Sequence, residues 1–150
     1  MKDIWGDVLE FRLYILVLIS VVLYVLSLFF PAFTTDSSYQ GFSAVLNDYM
    51  GWYVLMIGWA AVLDNCIAWF ANPLFGLSVL MLLCGQTSKV TRNLSYGSFI
   101  LALSSFFYSS LWADGGPRER IVEYQAGFWL WLSAMFGVAF CAMLSRDNMY

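Results

Sequence analysis

Histidine is absent from all 150 residues of this chain. That absence excludes Ser-His-Asp and Cys-His nucleophile arrangements and the commonest zinc ligand sets. Charge is also scarce: Asp, Glu, Lys and Arg make up 11% of the residues, against about 25% in soluble domains. Seven basic and ten acidic side chains cannot coat a globule that leaves much of its surface in water. A net charge of −3 supplies no basic patch for phosphate, so nucleic acid is excluded as a partner. The three cysteines, Cys66, Cys84 and Cys141, are an odd number and contain no CxxC spacing. They cannot all pair within the chain, and in apolar surroundings each reads as a small hydrophobe.

What is present is apolar: 61% of residues are hydrophobic and 19% are aromatic. The chain reads as an all-α membrane protein with four transmembrane helices. Its first run, Leu13 to Phe30, ends at Pro31. At 1.5 Å per residue it covers about 27 Å, close to the roughly 30 Å hydrocarbon core. Asp3, Asp7 and Glu10 make a poor signal-peptide n-region and no A-x-A-like site follows, so an uncleaved anchor is expected. The block from Trp52 to Cys84 is too long for one span and too short for two, and it divides at Asp64-Asn65. The expected spans are 13–30, 66–84, 96–113 and 125–144. Between them lie an outer segment over 31–63, a cytoplasmic loop over 85–95 and an outer turn over 114–124. Within the outer segment, Phe42, Val45, Leu46, Tyr49 and Met50 follow helical spacing, which predicts an amphipathic helix over 41–51.

Orientation follows from basic residues. Lys2, Arg12, Lys89, Arg92 and Arg146 fall on one side of this layout and only Arg118 and Arg120 on the other. The positive-inside rule then places both termini in the cytoplasm, in a bacterial inner membrane.

Four groups of residues stand out. Asp64 is a carboxylate inside an apolar run, either a functional group at membrane depth or a cap beside Asn65. Asn72-Pro73 falls near the middle of the second span, where proline leaves the Trp69 carbonyl without its helix hydrogen bond. This reads as a kink that fixes the bundle, with a gate or binding site at an interrupted helix as the alternative. Asp3, Asp7 and Glu10 share one face of an N-terminal helix, either solvated or a docking surface for a basic cytosolic partner. Small residues form two stripes, Ser98, Ala102, Ser105 and Ser109 in the third span and Ser133, Gly137 and Cys141 in the fourth. These are expected to pack against each other or against equivalent faces in a homo-oligomer. The alternative is a hydroxyl-lined pore. Asp114, Glu119 and Glu123 beside Arg118 and Arg120 read as a solvated loop rather than a catalytic cluster.

Gly51-Trp52, Gly58-Trp59, Ala68-Trp69-Phe70-Ala71-Asn72-Pro73-Leu74 and Gly127-Phe128-Trp129-Leu130-Trp131-Leu132-Ser133 resemble stretches of a group of uncharacterised small bacterial inner-membrane proteins. The resemblance implies a bacterial four-helix architecture and supplies no catalytic residue. The sequence therefore predicts a non-catalytic membrane scaffold or sensor subunit without cofactor or metal, in contact with lipid, self-associating and coupled to a cytosolic protein. A bacterial defence system is one setting for such a subunit. The alternatives are an immunity protein against a pore-forming toxin and a small channel or transporter.

Overall fold

A computed structural model describes residues 4–36, 45–64, 66–112 and 118–145. The first apolar run forms helix α1, Ile4–Ser27, about 36 Å long at 1.5 Å per residue. Helix α3 spans Ala71–Leu83 and α4 spans Lys89–Leu103. Local chemistry sets the junction between these two. Gly85, at φ 71°, takes the left-handed position that ends α3, and the Gly85 and Gln86 amides donate to the Leu82 and Met81 carbonyls at 3.0 and 2.9 Å. This is a Schellman closure. Ser88 then caps α4 by accepting from the Thr91 amide at 3.3 Å. Helix α5 is Ala126–Leu144. It packs on α1 and α4, and α4 packs on α3.

The segments between the helices form strands. β1 is Pro31–Asp36, β2 is Leu46–Met50, β3 is Ser110–Trp112 and β4 is Arg118–Tyr124. They make one antiparallel sheet in the order β2-β1-β4-β3. β1 follows α1, and β4 leads through Gln125 into α5, so the sheet lies across one end of the helices. Its seat is tight. A Cβ on Gly51 would lie 2.1 Å from the Ser27 carbonyl oxygen, and one on Gly127 would lie 2.5 Å from that of Phe30. Only glycine lets these backbones approach so closely. Helix α2, Gly51–Ile57, and a 3-10 segment, Gly58–Asp64, run beside the sheet before a second 3-10 turn, Ala68–Phe70, enters α3.

The expectation of an all-α bundle of four transmembrane helices is therefore corrected. Strands occupy 31–36 and 46–50 of the expected outer segment, the latter within the expected amphipathic helix over 41–51, 110–112 at the end of the expected third span, and 118–124 of the expected outer turn. Among the described residues one helix, Ala126–Leu144, is long and apolar enough to cross a membrane; the apolar stretches Phe11–Ser27 and Ala68–Leu83 are shorter. The physical reason is pairing at long range. Thr35 of β1 pairs with Asn47 of β2 and Ile121 of β4, and no local periodicity announces such partners. Within β2 only alternation distinguishes strand from helix, and Asn47 and Asp48 point to opposite faces as a strand requires.

Large apolar side chains lie on the outside of the helices as well as in their core. The fully buried positions include Ala71, Ala102, Ala134, Ser78, Ser95 and Ser98, whereas Phe11, Leu18, Val22, Leu80, Ile100 and Met143 are exposed. Phe11, Ile15, Leu18 and Val22 make one exposed stripe along α1. Phe75, Val79, Met135 and Val138 are buried with the small residues; small buried positions that let helices approach closely are usual for helices in lipid. The buried hydroxyls of Ser20, Ser78 and Ser95 return to carbonyls of their own helices at 2.8–2.9 Å, leaving none unsatisfied.

Gly127→Ala and Gly51→Ala are expected to lower stability by about 1–3 kcal/mol, because the new methyl meets backbone that cannot rotate away. Gly76, whose Cβ would meet nothing within 4 Å, is the control, and Gly76→Ala is expected to be neutral or stabilising by up to about 1 kcal/mol. Thermal unfolding followed by near-ultraviolet circular dichroism separates the three.

Candidate functional site

Pro73 has no N–H to give, yet it interrupts nothing. It lies in the first turn of α3, where amide hydrogens have no intrahelical partner. The neighbouring Asn72 does more. Its Nδ2 donates to the Trp69 carbonyl at 2.9 Å, the acceptor that proline leaves open. Its Oδ1 accepts from Trp131 Nε1 at 2.8 Å and from the Tyr24 hydroxyl at 3.1 Å. Since an indole N–H can only donate, the amide orientation is fixed. One side chain thus ties α1, α3 and α5, and Tyr24 stacks on Phe75 with centroids 4.8 Å apart.

Above Asn72 a cavity of about 570 Å³ opens between the helix ends and the sheet. This is within the roughly 300–1,000 Å³ typical of small-molecule sites. Its roof is the inner face of the sheet, where Glu119 of β4 reaches across β1. The Glu119 carboxylate accepts from the Thr35 hydroxyl, from Asn47 Nδ2 at 3.3 Å and from the Tyr49 hydroxyl at 3.2 Å. Alternation sends the next pair outward, where Gln125 Nε2 donates to Thr34 Oγ1 at 3.0 Å and Thr34 donates to Asp48 at 2.6 Å.

One wall is α2 with its 3-10 continuation. Trp69 pins it: Nε1 donates to the Leu55 carbonyl at 2.8 Å, and the indole sits where a Cβ on Gly58 would be, 2.7 Å from Cδ1. Trp52, Met56 and Trp59 of the same wall face outward and are exposed, so it is one helix thick. The opposite wall is aromatic. Tyr124 lies 4.3 Å from Phe128, centroid to centroid, and its hydroxyl donates to the Ser105 carbonyl at 3.1 Å. Burial pushes the Tyr124 phenol above its ordinary value, and a Cys66 thiolate acts in the same direction. The phenol therefore keeps its proton, and its donated hydrogen bond, throughout the neutral range.

The residues singled out from sequence divide between this cavity and other places. Asn72 lies at its floor, and Ser105 lines it. Asp64 is the last residue of the 3-10 wall segment. Ser98 and Ala102 are buried between helices, with Ser98 Oγ bonded to the Ala71 carbonyl at 2.9 Å. Gly137 meets Ser20 of α1, and Cys141 is buried. Ser109 and Ser133 are exposed, so the two stripes do not pack as continuous faces against each other. Asp7 and Glu10 belong to the N-terminal part of α1, and Asp3 is outside the described residues. Sequence reasoning assigns Glu119 to a solvated loop and Tyr49 to an amphipathic helix, gives the Trp69 and Trp131 side chains no site role, and does not single out Thr35. The usable signal was period-two spacing of Glu119 and Ile121 beside β-branched Ile121-Val122.

Chemically the cavity presents aromatic faces, aliphatic walls and a few convergent acceptors, with one charged side chain, Glu119, among the described lining residues. No protein family, curated protein or solved structure matches this chain.

Asn72→Leu removes both acceptor bonds and leaves the Trp131 N–H unpaired. It is expected to destabilise the protein by about 2–4 kcal/mol, while Asn72→Asp, which keeps the acceptors and loses the donor to Trp69, costs less. Denaturant midpoints of the two variants check the order.

Proposed function

We propose that this protein is a lipid-embedded, non-catalytic sensor of the bacterial inner membrane that takes a single-chain apolar or amphiphilic molecule into the chamber beneath its sheet. The observation that carries this reading is the position of the chamber, at the end of a helical body whose outward surface is apolar. In water, the exposed stripe of α1 and the outward faces of α3 and α5 would be an aggregation hazard. In lipid they are the ordinary surface, and a chamber beside them receives molecules that partition into the bilayer. The thin wall formed by α2 and the 3-10 segment supports the sensing role, because a ligand pressing on Leu55 or Ala61 displaces an element whose other face is exposed.

A conducting pore is less well supported. Below Asn72 the axis of the helices is filled by Phe75, Val79, Met135 and Val138, and the serine hydroxyls there bond carbonyls.

Two measurements test the reading. Proteoliposomes carrying the full chain are expected to float and to retain the protein through alkaline extraction. Tritiated dodecanol is expected to bind saturably to protein-loaded nanodiscs of zwitterionic lipid above the level of empty nanodiscs. Ala61→Trp, which fills the chamber from its wall, should abolish that binding while the thermal transition remains. Extraction of the protein at high pH, or saturable binding that survives Ala61→Trp, counts against the proposal.

A further inference from the structure

The roof of the chamber carries more information than its size. Glu119 is the one charged side chain among the described lining residues, and no lysine or arginine accompanies it there. Its three partners are neutral donors: the Thr35 hydroxyl, the Asn47 amide and the Tyr49 phenol. A carboxylate offers about four lone-pair sites, and one of its oxygens, Oε1, carries a single long bond of 3.3 Å from Asn47. The charge is thus held in place, partly withdrawn from water, and without a cation among the described residues. Tyr49 itself stands in a row of rings, 5.4 Å from Phe33 and 5.7 Å from Tyr53. A carboxylate beside aromatic faces is the chemistry that receives an ammonium group, by Coulomb attraction from the carboxylate and by the quadrupole of the rings. Toward the floor, Tyr24, Trp69, Phe128 and Trp131 offer an apolar and aromatic surface to the rest of the molecule.

We infer that the chamber selects single-chain amphiphiles with a cationic head, the ammonium seated at Glu119 under the sheet and the chain lying toward Asn72 and the helix ends. This deepens the binding role proposed above and rests on it. A sheet clip alone would need the donors to cross from β1 and β2 to β4, but it would not need them to converge on the side of the sheet that faces a cavity. The outward row, Gln125 to Thr34 to Asp48, is where a purely structural clip already operates.

The test uses the full chain in nanodiscs of zwitterionic lipid and three probes that share a dodecyl chain and differ only in the head: dodecyltrimethylammonium, dodecanol and tridecanoate. Tritiated dodecyltrimethylammonium is titrated and the other two compete, with empty nanodiscs subtracted. The expected order is ammonium tightest and carboxylate weakest, with the ammonium favoured over the alcohol on the order of tenfold. In Glu119→Gln that preference is expected to collapse to within about threefold, and a preference that survives the substitution overturns the head-group assignment. Tyr49→Phe, which removes one donor and keeps the charge, should preserve the preference. Equal affinity for ammonium and alcohol in the unaltered protein overturns the head-group assignment and leaves the binding role intact. Saturable binding of none of the three overturns both. Should Glu119→Gln not fold, the order of the three probes on the unaltered protein decides the question alone.

Discussion

The Asn72 amide is the interaction on which the arrangement of the helices depends. A polar side chain partly withdrawn from water among apolar helices must find bonds within the protein. Asn72 finds three: donation to the Trp69 carbonyl, and acceptance from Trp131 and Tyr24. Each of these fixes a different element, so the register of α1, α3 and α5 at this level is set by hydrogen-bond geometry, whereas apolar packing alone is non-directional. Beneath it, the small buried residues let helices approach while the hydroxyls bond their own carbonyls. Above it, the helices no longer touch along their axis, and the chamber occupies the space.

The sheet closes that space because the chain leaves it little choice. α1 ends at Ser27 and α5 begins at Ala126, and the connecting backbone must satisfy its own N–H and C=O groups. Four short strands do this by pairing with one another. Two contacts to the helices complete the closure, the Gly51 amide to the Phe30 carbonyl at 3.0 Å and the Gln125 amide to the Ala32 carbonyl at 2.9 Å. With the two glycine seats, they hold the sheet at a fixed height over Asn72. The alternation of side chains then decides which polar groups enter the chamber. Thr35, Tyr49 and Glu119 face inward, while Thr34 and Asp48 bond on the other side. A one-residue slip in β4 would exchange Glu119 for Arg120 and reverse the charge of the roof.

How much of this was readable in the sequence depends on the range of the interactions involved. α5 lies where the continuous apolar run over 125–144 lies, because nothing in that run competes with helix. α4 starts at Lys89, about two turns before the expected 96, because Ser88 caps it there. The Trp69–Asn72 bond could be anticipated, since Pro73 leaves that carbonyl open whatever the fold. From sequence the same proline reads as a mid-helix kink, because the short 3-10 turn Ala68–Phe70 has the composition of helix. Nothing local tells Glu119 that its donors sit some seventy to eighty-four residues earlier, at Tyr49, Asn47 and Thr35. Strand pairing of that kind is a property of the whole chain, which is why neither the sheet nor the roof of the site is announced by any local stretch of sequence.

The wall is where these constraints relax. α2 lasts seven residues and passes into a seven-residue 3-10 segment, longer than the three or four residues such turns usually sustain, because their hydrogen-bond geometry is poorer. Nothing packs outside it among the described residues at Trp52, Met56 and Trp59, which are exposed. Its main fastening is the Trp69 indole, bonded to Leu55 and filling the place beside Gly58. Trp69 in turn is linked through its carbonyl to Asn72. The floor of the chamber and its thinnest wall are therefore joined by one residue, so that a molecule displacing the wall at Leu55 acts on the same node that orders the helices. That linkage, more than the volume of the chamber, is what would let occupancy be felt in the helical body.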